Sequence, residues 1–129
     1  MYTFDDSKCI MWNISSGKQL HTFQILRNTG YDLSPDGKKL IISENKGVSL
    51  FNTENGKLIK FFPNSRNYYN ALFSHDGDKI ICTDEAHQID LINVSDLSSS
   101  IFLIEDGYNI FNAKICLLPN NQFCLVNEH

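Results

Sequence analysis

The chain holds few of the residues that announce chemistry. Its 129 residues include 1 Trp, 3 Pro, 4 Cys and 4 His. It has no Gly-x-Ser-x-Gly elbow, no His-Glu-x-x-His pair and no phosphate-cradling glycine loop. It has no Cys-x-x-Cys, and no His at finger-like spacing from a cysteine pair, which removes the common zinc frameworks. No apolar run approaches the roughly 18 residues of a membrane helix. No window sustains a 3.6-residue apolar period, so essentially no helix is expected. The opening MYTFDDSKCIMW lacks the basic start and long apolar block of a secretory leader, so a cytoplasmic protein is expected. The 11 Lys and Arg are interspersed with 15 Asp and Glu, giving a net charge of −4. Without a basic stripe, neither nucleic acid nor an anionic membrane surface is an expected partner.

What is there is enough apolar material for a core. Hydrophobic residues make up 42% of the chain and aromatics 12%, with 20% charged, an ordinary globular composition. Cys9, Cys82, Cys116 and Cys124 each lie inside an apolar run, so all four are expected as buried, reduced thiols. Cys116 and Cys124 fall on neighbouring runs.

Those runs repeat. CIMWNISSGKQLHTF, VSLFNTENGKLIKFF and IDLINVSDLSSSIFLI align on Trp12, Phe51 and Ile92, in steps of 39 and 41 residues. LSPDGKKLIIS, FSHDGDKIICT and LLPNNQFCLVN align on Asp36, Asp76 and Asn120, in steps of 40 and 44. Two independent landmarks thus give one period, within the range expected for units of four strands. The runs are short, rich in Ile, Leu, Phe and Tyr, and separated by turn formers. Ser34-Pro35-Asp36-Gly37 suits a tight turn, because proline presets one dihedral, Asp bonds neighbouring backbone and Gly tolerates positive φ. Asn120 takes the glycine's role in the third copy. Strands are expected at 1–4, 8–14, 18–24, 29–34, 39–44, 47–52, 57–62, 69–74, 79–83, 88–93, 100–105, 112–118 and 122–127. In VSLFN, Val48 and Leu50 face one way and Ser49 and Phe51 the other. An apolar residue on each face implies a sheet packed between two others.

Ser34-Pro35-Asp36-Gly37 at an a–b turn and Ile10-Met11-Trp12-Asn13, with Leu50-Phe51-Asn52 and Leu91-Ile92-Asn93 as weaker copies, resemble the WD40 repeat family. The resemblance implies an all-β fold of antiparallel four-stranded propeller blades. About three blades' worth of strands is present, an incomplete ring. Residues 1–24 would end one blade, 25–64 and 65–107 would form two, and 108–129 would begin another. The family's Gly-His pair is missing from every unit, and its b–c Asp is matched only by Asp5-Asp6 and Asp84. The Asp-His-Ser-Trp hydrogen-bond network of that family is therefore not expected. Three readings follow: a piece of a longer propeller, two copies closing head to tail, or a chain completed by the rest of a propeller on another polypeptide.

The resemblance implies a non-catalytic scaffold that binds other proteins, without cofactor or metal. The d–a and b–c connections of a propeller open onto one face, where exposed aromatic and Arg residues would anchor a partner. Arg27, Arg66, Tyr68, His87 and Tyr108 are the candidates. The alternatives are an enzyme or small-ligand sensor using a central channel, for which the a strands offer only Tyr31, Asp32, Asn70 and Lys114, and a fragment without independent function. His21, His75, His87 and His129 fall in different parts of different units, so no cluster is expected. Trp12 is expected to pack between blades. The acceptor patterns Asn13-Ile14-Ser15 and Asn93-Val94-Ser95 read as coincidental to the repeat.

Overall fold

Short apolar runs between turn formers produce short strands joined by tight turns. A computed structural model describes residues 1–5, 7–25, 28–64, 67–84, 88–103 and 114–126. Among these are thirteen strands: β1 (Tyr2–Phe4), β2 (Lys8–Trp12), β3 (Gln19–Gln24), β4 (Asn28–Leu33), β5 (Lys39–Glu44), β6 (Gly47–Asn52), β7 (Leu58–Pro63), β8 (Tyr68–Phe73), β9 (Lys79–Asp84), β10 (Gln88–Asn93), β11 (Ser99–Leu103), β12 (Lys114–Leu118) and β13 (Gln122–Val126). They form a three-stranded sheet β1-β2-β3, two four-stranded sheets β4-β5-β6-β7 and β8-β9-β10-β11, and a two-stranded sheet β12-β13. Every pairing is antiparallel between strands consecutive in the chain. The fold is therefore all-β and built of successive meanders. The one helical element among the described residues is a 3-10 turn at Pro119–Asn121, where Asn120 takes φ 65°.

Parity within each strand decides how the sheets meet. In the second sheet Leu40, Ile42 and Phe51 pack with Cys9, Phe23 and Ile25 of the first. Ile41, Val48, Leu50 and Phe62 point the other way and pack with Tyr68, Ala71, Phe73, Ile80, Cys82 and Ile92. The far side of the third sheet, through Ile81 and Ile89, covers Ile115 of the fourth. Four sheets thus stack face to face in chain order, with an apolar layer between each pair. This is why the middle strands β5 and β9 are buried along most of their length. Trp12 stands on the face of the first sheet turned away from the second, beside Thr3. It is half-buried, and its indole Nε1 donates to Thr3 Oγ1 at 2.8 Å on the neighbouring strand.

Strands β4 and β8 of the two complete sheets approach closely. A side chain on Gly30 would meet Ser43 Oγ at 3.1 Å and the Tyr69 carbonyl oxygen at 3.3 Å. Beside it, Asp32 Oδ2 accepts from the Phe73 amide at 2.9 Å, an inter-sheet tie, while its Oδ1 accepts from Leu33 N. Burial pushes the Asp32 carboxyl above its usual range, and the two amide donors oppose that rise. Asp32 is thereby engaged in holding two sheets together.

The turns at one end of the stack share one wiring. Ser34 Oγ donates to Asp36 Oδ1 at 2.6 Å and accepts from Lys39 N at 2.9 Å, and Lys38 N donates to Asp36 Oδ1. Ser74, Asp76, Asp78 and Lys79 repeat the pattern within a tenth of an ångström. Both serines are buried. Ser34→Ala and Ser74→Ala should therefore each cost about 1–2 kcal/mol, by stranding a backbone N–H inside the turn. The Ser34 hydroxyl, helped by the Lys38 amide, holds the Asp36 carboxyl below its usual range. The resulting stabilisation is present above the unfolded carboxylate value of about 3.9 and is lost as pH falls through the lower folded value. In Ser34→Ala, an NMR titration should find the Asp36 inflection moved upward towards that reference. An unmoved inflection would mean that the hydroxyl is not its principal partner.

Asn13, Asn52 and Asn93 shape the turns that follow β2, β6 and β10, each accepting at its carbonyl oxygen from the amide four residues on, at 2.9–3.0 Å. The first two amides belong to Gly17 (φ 65°) and Gly56 (φ 70°). The third belongs to Leu97, which takes φ 59° without glycine's freedom. The Asn13 and Asn93 side chains are themselves engaged in these turns, Asn13 Oδ1 with Ser16 N and Asn93 Nδ2 with Ser98 Oγ.

Candidate functional site: the clefts between the sheets

In an antiparallel meander successive connections alternate between its two ends. The turns at 34–38, 53–57, 74–78 and 94–98 share the first end. The connections leading into β4, β6, β8 and β10 share the second. Arg27, Arg66, His87 and Tyr108 lie outside the described residues. Tyr68 is described, and it is not a surface anchor. Only 2% of it is exposed, and it stands in the apolar layer between the second and third sheets.

Its hydroxyl explains that position. Tyr68 donates to Asp90 Oδ2, joining β8 to β10 across the sheet they share. Burial first, and then the Asp90 carboxylate, push the Tyr68 phenol far above its ordinary value. The second sheet makes a corresponding pair at the same level, with Ser49 Oγ donating to Glu44. Ser49 and Asp90 occupy the same position of their strands, second after Gly47 and Gln88, with the direction of donation reversed. Each complete sheet therefore carries one buried carboxylate bonded to a hydroxyl near its second end.

Each pair opens onto an inter-sheet cleft. Between the second and third sheets lies a cavity of about 320 Å³ lined by Lys60, Phe62, Asn64, Tyr68, Asp90 and Leu97 among others. Lys60 Nζ donates to the Leu97 carbonyl at 3.0 Å and lies 4.9 Å from the Phe62 ring centroid. A cavity of about 480 Å³ recurs one repeat earlier, between the first and second sheets, with Phe23, Glu44, Ser49 and Phe51 in its wall. The first and second sheets are further tied by Phe4 stacked on Tyr31 at 4.0 Å, Phe23 edge-on to Phe51 at 5.1 Å, and His21 Nε2 within 2.8 Å of the Glu54 carbonyl oxygen.

Sequence reasoning placed Tyr68 on a loop and passed over Asp90. The available signal was a charged residue inside the apolar run IDLIN, at a position where the neighbouring unit has Ser49. Tyr68→Phe is expected to lower stability by about 2 kcal/mol, because the buried carboxylate loses a hydroxyl donor. Tyr31→Phe is the control, since Tyr31 is half exposed and its stacking survives the change, so a shift within about 0.5 kcal/mol is expected. Equal urea midpoints for the two variants would dismiss the pair as a lock.

The wider catalytic alternative gains no cluster. No group of three or more metal-ligating side chains occurs among the described residues. His21 serves the Glu54 turn and His75 is exposed on a turn of the third sheet, while His87 and His129 lie outside the described residues.

No protein-family profile matches the chain, and no curated protein is similar to it. Solved structures are. A structure of Kuenenia stuttgartiensis hydrazine synthase superposes with a TM-score of 0.69 at 15% sequence identity, over 78% of this chain. This chain spans 30% of that one. At that identity the likeness concerns the fold alone. Matches number 474 chains, so the stacked arrangement recurs widely and assigns no activity.

Proposed function

We propose that the stacked sheets are blades of a β-propeller of WD40-like type, and that the protein is a non-catalytic scaffold binding other proteins. The supporting observation is the face-to-face stacking of four-stranded meanders at a period near 40 residues. In this reading β4 and β8 are inner strands beside the axis, and β7 and β11 lie at the rim. The polypeptide completing the ring is either further sequence of the same protein or another chain. Partner binding falls to the end carrying Arg27, Arg66, His87 and Tyr108, because that is the end whose connections vary between units. The opposite end repeats one Ser-Asp turn and presents a more uniform surface.

The test is site-specific photocrosslinking in cells. A benzophenone side chain replaces Arg27, Arg66, His87 or Tyr108 in turn, with Asp36 and Asp78 at the other end as comparison. Discrete protein adducts from the first set, absent from the second, support the reading. Adducts from the turn end alone, or equally from both, would reverse the assignment of the binding end. No adduct at either end would overturn the scaffold reading.

A further inference from the structure

The first and second sheets end in the edge strands β3 and β7, and both strands carry the same irregularity. Met11 pairs with His21 and Trp12 with Gln19, so Leu20 is an extra residue in β3. Leu50 pairs with Lys60 and Phe51 with Leu58, so Ile59 is its counterpart in β7. A bulge of this kind re-aims side chains and bends the edge away from strand addition. Here the two extra residues are apolar and exposed, Leu20 at 45% and Ile59 at 41%. The third sheet has no bulge at this place. Its Leu91 and Ile92 pair with Ser100 and Ser99 of β11, both exposed. A regular, polar edge is therefore compatible with the repeat, and the stacking of sheets does not call for the exposed apolar pair.

Between these two edges lies the cleft of about 480 Å³. The buried Phe23 and Phe51 form its depth, and the more exposed Leu58 and Phe61 its β7 side. Glu44 also stands in the wall, where its carboxylate accepts from Ser49. Lys18 and Lys57 are exposed and immediately precede β3 and β7. They hold equivalent places, since their carbonyls accept from the Asn13 and Asn52 amides at 2.9 Å. Over 13–24 and 53–63 the charges are Lys18, Lys57 and Lys60 against one carboxylate, Glu54, although the whole chain carries −4. In the third unit Ser98 takes the place of the two lysines, and Asp96 is the one charge of 94–103. Sheets stack face to face, so a further sheet on either side of the stack meets a face and leaves the β3 and β7 edges open.

We propose that this cleft binds a segment of a partner protein bringing two kinds of side chain. Aliphatic ones enter between β3 and β7, and carboxylates lie on Lys18 and Lys57 at the turn end. The aliphatic side chains remove Leu20, Leu58 and Ile59 from water. The lysines favour an acidic segment and repel a basic one. A carboxylate driven deeper would meet Glu44, so the acidic groups belong at the mouth. The bulges disfavour a segment that prolongs the ladder as an added strand, so recognition runs through side chains. A second copy of this chain is a poorer occupant, because its own edges present the same lysines. The surface lies on the edge strands and at neither end of the stack, so it stands or falls separately from the binding end proposed above.

The test is fluorescence anisotropy with the whole protein and labelled peptides of equal length, carrying leucines among glutamates, leucines among lysines, or serines among glutamates. The first should bind saturably and weaken as salt is added. The other two should bind about tenfold more weakly or worse. Leu58→Ser and Ile59→Ser should each weaken the first peptide about tenfold, the loss of one buried aliphatic contact. Both positions are exposed, and an unchanged urea midpoint checks the fold. If a midpoint shifts, the charge-reversed variant decides: Lys18→Glu with Lys57→Glu should move the preference to the lysine peptide. Ser100→Asp, at the matching place of the third sheet, should leave binding unchanged. Equal binding of the first peptide and either of the others, or no binding at all, would overturn the proposal. So would binding that survives both serine variants, or that falls equally with Ser100→Asp. Loss of binding when the peptide's backbone amides are methylated would mark an added strand and overturn it as well. A dimer in sedimentation that Ile59→Ser dissolves would assign the surface to a second copy instead.

Discussion

Gly47→Ala should cost about 2–5 kcal/mol, a large share of the stability of a domain whose total is about 5–15 kcal/mol. Gly47 opens β6 at φ 156°, directly opposite Pro63. A Cβ there would intrude on the Phe62 carbonyl oxygen and stand 2.6 Å from Phe61 Cζ and 2.8 Å from Phe61 Cε2. The ring can be displaced by rotation, but the carbonyl belongs to the β6–β7 ladder and moves only with the strand. Overpacking of this kind costs about 1–3 kcal/mol, and a disfavoured backbone conformation adds about 1–2 kcal/mol. Gly37→Ala separates the two contributions. Gly37 has φ 71° with nothing within 4 Å of a built Cβ, so it carries the backbone cost without the clash. Urea unfolding monitored by circular dichroism should place Gly37→Ala about 1 kcal/mol below wild type, with Gly47→Ala well below both. Equal midpoints would show that the strand yields and that the clash is not what selects glycine.

Gly47 also marks where the sequence stops being informative. Its counterpart one unit on is Gln88, which carries a side chain at the start of β10. The requirement for glycine comes from the Phe62 carbonyl on the next strand and from the positive φ of Gly47 itself, so repeat alignment does not reveal it. Strand positions and turn types were legible because they depend on local patterns. The runs 39–44, 47–52 and 88–93 have the expected limits, and Asn120 takes the left-handed backbone conformation expected of it. The two-faced parity of Val48, Leu50 and Phe51 also foretold the stacking of sheets. The Tyr68–Asp90 pair was not legible, since its members are 22 residues apart and meet only through the register of β8, β9 and β10. Leu97 at positive φ broke the glycine rule that held at Gly17 and Gly56. Cys9 and Cys82 are buried, as expected, but Cys116 is exposed and Cys124 partly so, since alternation alone leaves undecided which face of β12 meets the third sheet.

Phe73→Ala is expected to be comparably damaging, for a different reason. Phe73 ends β8 with 1% of its surface exposed, in the layer that joins the second and third sheets. Its backbone amide donates to Asp32 across the same interface. Truncation to alanine removes most of a ring from a close-packed layer, at about 3–5 kcal/mol. The loss falls on contact between sheets rather than within one, because β8 keeps its pairing with β9. Hydrogen exchange should therefore show faster opening in β4 and β8 together, where Asp32 and Phe73 meet, than in β6 and β7. Phe73→Leu keeps much of the volume and should cost less than about 1.5 kcal/mol. Leu58→Ala, on the outer strand β7 and 52% exposed, sets the scale for an apolar truncation outside the layer. If Phe73→Ala is no more costly than Leu58→Ala, the apolar layer between these sheets is not what holds them together. The ties through Asp32, and through Lys60 to Leu97, would then have to carry the interface.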